Sequence, residues 1–141
     1  MNRFQAIVLN LVKINNITII DLKLDSKDNK QVILKSVALE TNESLELNSI
    51  VLVGFKPTSL IVATEKINEK IISIENSFKG KIIQITHGEV LSQLFLETSF
   101  GLIETILLKN SVSNLSLFKD KILFCYVKPN EISILESKEK F

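Results

Sequence analysis

Tryptophan is absent from this chain, histidine and cysteine occur once each, and glycine and proline together supply only six of its 141 residues. Each scarcity removes a class of protein. A lone cysteine, Cys125, excludes an internal disulfide and every multi-cysteine zinc pattern, and it fits a reducing compartment. The lone histidine, His87, lies in "THGE" with no Cys or His neighbour to share a metal, so it reads as a solvated turn residue. A formal net charge of +1 leaves no general field for nucleic acid or anionic lipid, and one Tyr offers little on which bases could stack. The longest unbroken apolar run is "ILFCYV" at 122–127, far short of the roughly 20 residues of a membrane-spanning helix. "MNRFQAIVLNLV" is broken by Gln5 and Asn10 and has no small-residue cleavage site, so it is not read as a signal peptide. These exclusions give the expectation of a cytoplasmic protein with no nucleic-acid and no membrane partner.

What is present is a hydrophobic content of 45% in short, alternating runs, which suits a globular β-rich chain. The runs repeat. A shift of 74 residues sets "NRFQAIVLNL" at 2–11 over "NSFKGKIIQI" at 76–85, matching Asn2 with Asn76 and Phe4 with Phe78. The same shift pairs Thr18 with Ser92, Ile20 with Leu94 and Leu22 with Leu96. Farther on, "FKPTSLIVA" at 55–63 matches "VKPNEISIL" at 127–135 at a shift of 72, so the register changes inside the repeat. Hairpin loops absorb such changes. The polar "DSKDNK" at 25–30 is the longer hairpin, and "TSFG" at 98–101 is its tighter counterpart, with Gly101 able to take positive φ.

In the second copy, "KGKIIQIT", "EVLSQLFLET" and "GLIETILL" read as strands. "KNSVSNLSL" then gives a short helix with Asn110 or Ser111 as its N-cap, and "KILFCYV" and "EISILE" complete the unit. The first copy repeats this order, with "NSIVLVGFK" and "TSLIVA" as its last strands. The charged "TEKINEK" at 64–70 is the linker. The fold class expected is all-β with one short helix per repeat: two tandem OB-like five-stranded small β-barrels, at 1–64 and 71–141. Units this small bury limited surface, so stability is expected from packing the copies together and from oligomerisation.

The order Asn-x-Phe-x-Gly-x-Ile, then Gly-x-Val-x-Ser, then Ser-Val-x-x-Leu-x-Leu, then a strand ending in lysine resembles the Mop domain, the molybdate-binding unit of the TOBE superfamily. The resemblance covers nearly all of the second copy and, more loosely, the first. Two Mop units in tandem, with no further domain, look like a di-Mop molbindin. That resemblance implies a cytoplasmic, non-enzymatic protein that stores molybdate or tungstate. It also implies a trimer of tandem chains with the ions held between units, and no organic cofactor or metal ligation.

Such a dianion needs converging hydroxyl, amide and backbone donors with a lysine for charge. The family opens each unit with Ser-Ala-Arg-Asn, and the matching residues here are Ser73, Ile74, Glu75 and Asn76. Ser73 and Asn76 agree with the pattern, whereas Glu75 places an anion where the family has a cation. The first copy opens at Asn2 without the Ser and Arg, and Arg3 should point to the other side of the strand. Lys56 and Lys128 match the family lysine, their plain alternative being exposed strand-end lysines. Thr18 and Ser92 sit where the family has a small polar residue, and outward-facing strand hydroxyls are the alternative. Leu108 stands at the family's threonine position and cannot donate, while Thr105 can. The candidate oxyanion ligands are therefore Asn2, Thr18, Lys56, Ser73, Asn76, Ser92, Thr105 and Lys128. The alternative function is a regulatory di-Mop module with weakened binding, acting through a transporter or transcription regulator.

Overall fold

Period-two alternation of apolar side chains along "NRFQAIVLNLVKI" produces the longest strand, β1 (Asn2–Ile14), and the same pattern recurs around the chain. The computed structural model describes residues 1–28, 30–39 and 45–138, with the backbone alone at 39 and 136–138. After β1 come β2 (Ile17–Leu24), β3 (Ile33–Leu39), β4 (Ile50–Phe55) and β5 (Ile61–Ala63). The second half holds β6 (Ser77–His87), β7 (Leu91–Thr98), β8 (Gly101–Leu108), α1 (Lys109–Asn114), β9 (Ile122–Tyr126) and β10 (Ser133–Lys138). One 3-10 turn, Pro57–Ser59, precedes β5, and another, Pro129–Glu131, precedes β10. The protein is thus mostly β, as expected, with two curled five-stranded sheets that form OB-like half-barrels. Of the connection between β3 and β4, the place of the helix expected in the first repeat, residues 40–44 lie outside the described residues and residues 45–49 hold no helix. In the second repeat the N-cap is Leu108 rather than Asn110 or Ser111, and no side chain caps it. The helix begins as soon as β8 ends, which places both polar residues inside its first turn.

The two sheets do not follow the chain in simple halves. Their orders are β10-β4-β1-β2-β3 and β5-β9-β6-β7-β8. The strands "TSLIVA" and "EISILE", read from sequence as completing their own units, are each paired in the other repeat's sheet. The Lys-Pro steps explain the crossing. A proline donates no ladder hydrogen bond and holds the preceding residue extended, and Lys56 and Lys128 are extended at ψ 145° and 143°. The 3-10 turn that follows redirects the chain out of its sheet. Pro57–Ser59 packs against β8, and Pro129–Glu131 packs against β3. Where the turns meet, Ser59 Oγ donates to Glu131 Oε2 at 3.1 Å across a separation of 72 residues. Because those two positions match in the repeat, the turns lie beside a local pseudo-twofold axis.

Both long hairpins carry a bulge at the same repeat position. Register slips between Val8 and Asn10 in β1, and between Ile82 and Gln84 in β6. The extra residues, Leu9 and Ile83, tighten the coil that curls each sheet. Gly101 opens β8 at φ +130°, a conformation that side chains resist, with no nearby atom to restrict it. Gly80 serves closeness instead, since a Cβ there would stand 3.2 Å from that of Leu96.

A single hydrophobic cluster runs through both sheets, from Ala6 and Val8 to Val127 and Ile132. At its middle, Phe4, Phe55, Phe78 and Phe100 form a closed ring. Phe4 lies 5.0 Å from Phe100 and 5.6 Å from Phe55, and Phe78 lies 5.0 Å from Phe100 and 6.3 Å from Phe55. Three of the four contacts are edge-to-face, each worth about 0.5–1.5 kcal/mol beyond area burial. Two of the rings come from each repeat. Truncating one of them, Phe78→Ala, should cost about 3–5 kcal/mol. Denaturant unfolding should remain one cooperative transition at a lower midpoint. A two-step curve, with one half melting alone, would contradict a shared core.

Candidate functional site

The two asparagines singled out by the repeat are buried, and their amides are already in use. Asn76 Oδ1 accepts from the Lys35 backbone N–H at 2.7 Å, and its Nδ2 donates to the Lys35 carbonyl at 2.8 Å. Asn2 treats Glu104 in the same way, at 2.8 and 2.9 Å. A side-chain amide has the donor and acceptor of a peptide unit, so each asparagine pairs with an edge strand as a neighbouring strand would. Asn2 caps β8, which belongs to the other repeat's sheet, and Asn76 caps β3 in the same reciprocal fashion. Each Nδ2 still has one N–H to offer.

Around each clamp the structure gathers further candidates, always from both repeats. Beside Asn2, which pairs with Phe55, stands Lys56 at the end of β4. Thr105, next to the clamped Glu104, is fully buried and donates to the Pro57 carbonyl at 3.2 Å. Ser92 lies on the same face of that sheet, diagonal to Thr105 because Leu94 pairs with Thr105. Such a diagonal spans about 7–8 Å. The second cluster mirrors the first. Val127 N–H donates to the Asn76 carbonyl at 3.3 Å, which sets Lys128 beside that clamp. Next to the clamped Lys35, Ser36 donates to the Ile132 carbonyl at 2.6 Å. Thr18 lies diagonal to Ser36, because Ile20 pairs with Ser36. Lys56 and Lys128 are exposed and make no ion pair among the described residues.

Ser73 and Glu75 are the outliers. Ser73 is exposed in the segment leading to β6. Glu75 reaches Lys35 Nζ at 3.5 Å, in a pair exposed enough to contribute little stability. Ser36 escaped the sequence reading altogether. It occupies the position in β3 that Thr105 occupies in β8, and its only signal was the repeat, whose register shifts at the hairpin between the second and third strands.

No known protein-family profile matches the chain, and no curated protein matches it in sequence. A solved structure does match. A crystal structure of the cytoplasmic molybdate-binding protein ModG, with molybdate bound, superposes with a TM-score of 0.82. It covers 94% of this chain and 93% of its own, at 19% sequence identity. At that identity the likeness establishes a common fold across essentially the whole of both chains.

His87 ends β6 exposed, and the described residues contain no group of three His, Cys, Asp or Glu that could hold a metal ion. No helix among them is long and apolar enough to cross a membrane. Cys125 lies in β9 against the core, where burial pushes its thiol up to about 12 from 9.0.

Two outcomes follow. Asn76→Ala should leave the Lys35 N–H and carbonyl without their partner, costing about 1–3 kcal/mol, and hydrogen exchange at Lys35 should accelerate. An unchanged exchange rate would show that the clamp is not formed in solution. For Cys125 the unfolded thiol ionises near 9 while the folded one holds its proton. Unfolding free energy should therefore be insensitive to this group below pH 9 and fall as pH rises toward 12. Cys125→Ser should flatten that part of the curve, as measured by urea melts from pH 8 to 10.5.

Proposed function

We propose that this protein binds molybdate or tungstate without catalysing a reaction, and that it stores or buffers the ion in the cytoplasm. The observation that carries the reading is the pair of matching clusters. Each has a clamped asparagine with one N–H to spare, an exposed lysine at the adjoining strand end and buried hydroxyls on the partner strands, drawn from both repeats. Those are the neutral donors and single charge suited to a tetrahedral dianion held by hydrogen bonds. The shared fold with ModG, a molybdate-binding protein, supports the same conclusion.

Residues 1–64 and 71–141 are then two Mop-like sequence repeats in the TOBE manner, and the functional particle is a trimer of the tandem chain. Oligomerisation answers two features of the single chain. Lys56, Lys128 and Ser73 are exposed, so a further surface is needed to enclose an ion beside them. Apolar side chains such as Val12, Ile14, Ile17 and Leu108 are also open to solvent, as they would be if a partner covered them. Selection over sulfate rests on cavity size, because a smaller ion leaves donors unpaired.

Calorimetric titration with molybdate, tungstate and sulfate is the direct test. Heat with the two larger oxyanions at micromolar concentration, and little with sulfate, is expected. No heat at high micromolar molybdate would overturn storage in favour of a regulatory di-Mop module acting through a transporter or transcription regulator. Native mass spectrometry of the same samples should show three chains per particle.

A further inference from the structure

Duplication produced two clusters, but the residues around them have diverged. Near Asn2 the cation Lys56 makes no ion pair among the described residues. The Glu104 carboxylate accepts a hydrogen bond from Gln93 Nε2, and Glu131, held by Ser59, lies where the two turns meet and is shared by both clusters. Near Asn76, Lys35 is engaged by Glu75. Asp21, directly across from Lys35, adds a second carboxylate with a buried oxygen that has no partner. Lys128 makes no ion pair there among the described residues.

The hydroxyls differ in the same direction. Ser36 holds its carbonyl at 2.6 Å, a short O–H···O bond, whereas Thr105 holds its own at 3.2 Å, beyond the usual range. Ser92 is 1% exposed and its Oγ has no hydrogen-bond partner at all. A buried hydroxyl in that condition has the full cost of desolvation and nothing to offset it, unless a further acceptor arrives.

Resting on the oxyanion-binding reading, we infer that the two clusters are functionally unequal. The tighter oxyanion site is the one built from Asn2, Lys56 and Thr105, with Ser92 as its reserve donor. Glu75 holds the Asn76 cluster in a weak or empty state, since a carboxylate beside a dianion opposes it while also engaging Lys35. The protein is thus a store at half the capacity its duplication would allow, set by one residue.

The test is molybdate binding by calorimetry and native mass spectrometry on the intact chain, with Lys56→Met, Ser92→Ala and Glu75→Gln. The first and last are exposed positions at which folding is not at stake. Wild type should show one class of sites. Lys56→Met should weaken that class by at least about tenfold, and Ser92→Ala by several-fold. Glu75→Gln should add a second class and increase the ions bound per particle. Two equally filled classes in wild type would overturn the inequality while leaving oxyanion binding intact. So would a Lys56→Met protein that binds as wild type does, or a Glu75→Gln protein that gains no ions. Absence of molybdate binding by wild type and Glu75→Gln alike would overturn the binding reading itself, and the inequality with it.

Discussion

The last strand of each repeat is hydrogen-bonded into the other repeat's sheet, and the rest of the molecule follows from that exchange. Neither sheet has five strands without a segment from the opposite half of the chain. The crossing segments draw the two 3-10 turns together at Ser59 and Glu131, set each turn against a third strand of the opposite repeat, and force the inner faces into a single core. The Phe4, Phe55, Phe78 and Phe100 ring closes that core with two aromatic side chains from each half. A unit of about 65 residues buries too little surface to be secure alone. Exchange lets two marginal barrels share one core.

Each sheet still ends on an edge opposite the exchanged strand, β3 in one and β8 in the other, and the asparagine clamps manage these edges. An edge strand presents unpaired peptide groups that invite pairing with other chains. At Lys35 and Glu104 those groups are met by Asn76 and Asn2, whose amides supply both a donor and an acceptor in the geometry of a peptide. Aspartate at either position could accept but not donate, and serine could not span both groups at once. The requirement for asparagine is therefore structural before it is anything else. Any role toward an anion falls to the one N–H that each clamp leaves over.

Because clamps, turns and lysines all lie where the chain crosses, the chemistry gathers there from both repeats. Asn2 and Lys56 belong to the first copy, while Thr105 and Ser92 belong to the second. The mirrored set joins Asn76 and Lys128 with Ser36 and Thr18. A tandem chain arranged in this way can let its two clusters diverge, since each is encoded by a different combination of residues. The Glu75 and Lys35 ion pair on one side, against the Gln93 and Glu104 hydrogen bond on the other, shows that divergence in charge. Ser36 and Thr105 show it in how firmly a hydroxyl is held.

Strand content, hairpins, the helix after β8 and the twofold repetition were legible in the sequence, because alternation, turn residues and matched aromatic and asparagine positions are local or periodic signals. Even the bulges at Leu9 and Ile83 obey the 74-residue repeat. The selection of Asn2, Asn76, Lys56, Lys128, Thr105 and Ser92 came from the resemblance to the Mop pattern, and the repeat supplied the matched pairs Asn2 with Asn76 and Lys56 with Lys128. Tertiary structure alone decided what they do to one another. Periodicity does not reveal which sheet a strand joins once a Lys-Pro step has turned the chain, so the exchange of β5 and β10 was hidden. With it were hidden the amide clamps, the pairing of Thr105 with Pro57, and Ser36. Sequence by itself determined the elements and their duplication, through short-range backbone and side-chain preferences. The composition of each cluster depended on long-range pairing between halves, which forms only when both share a core.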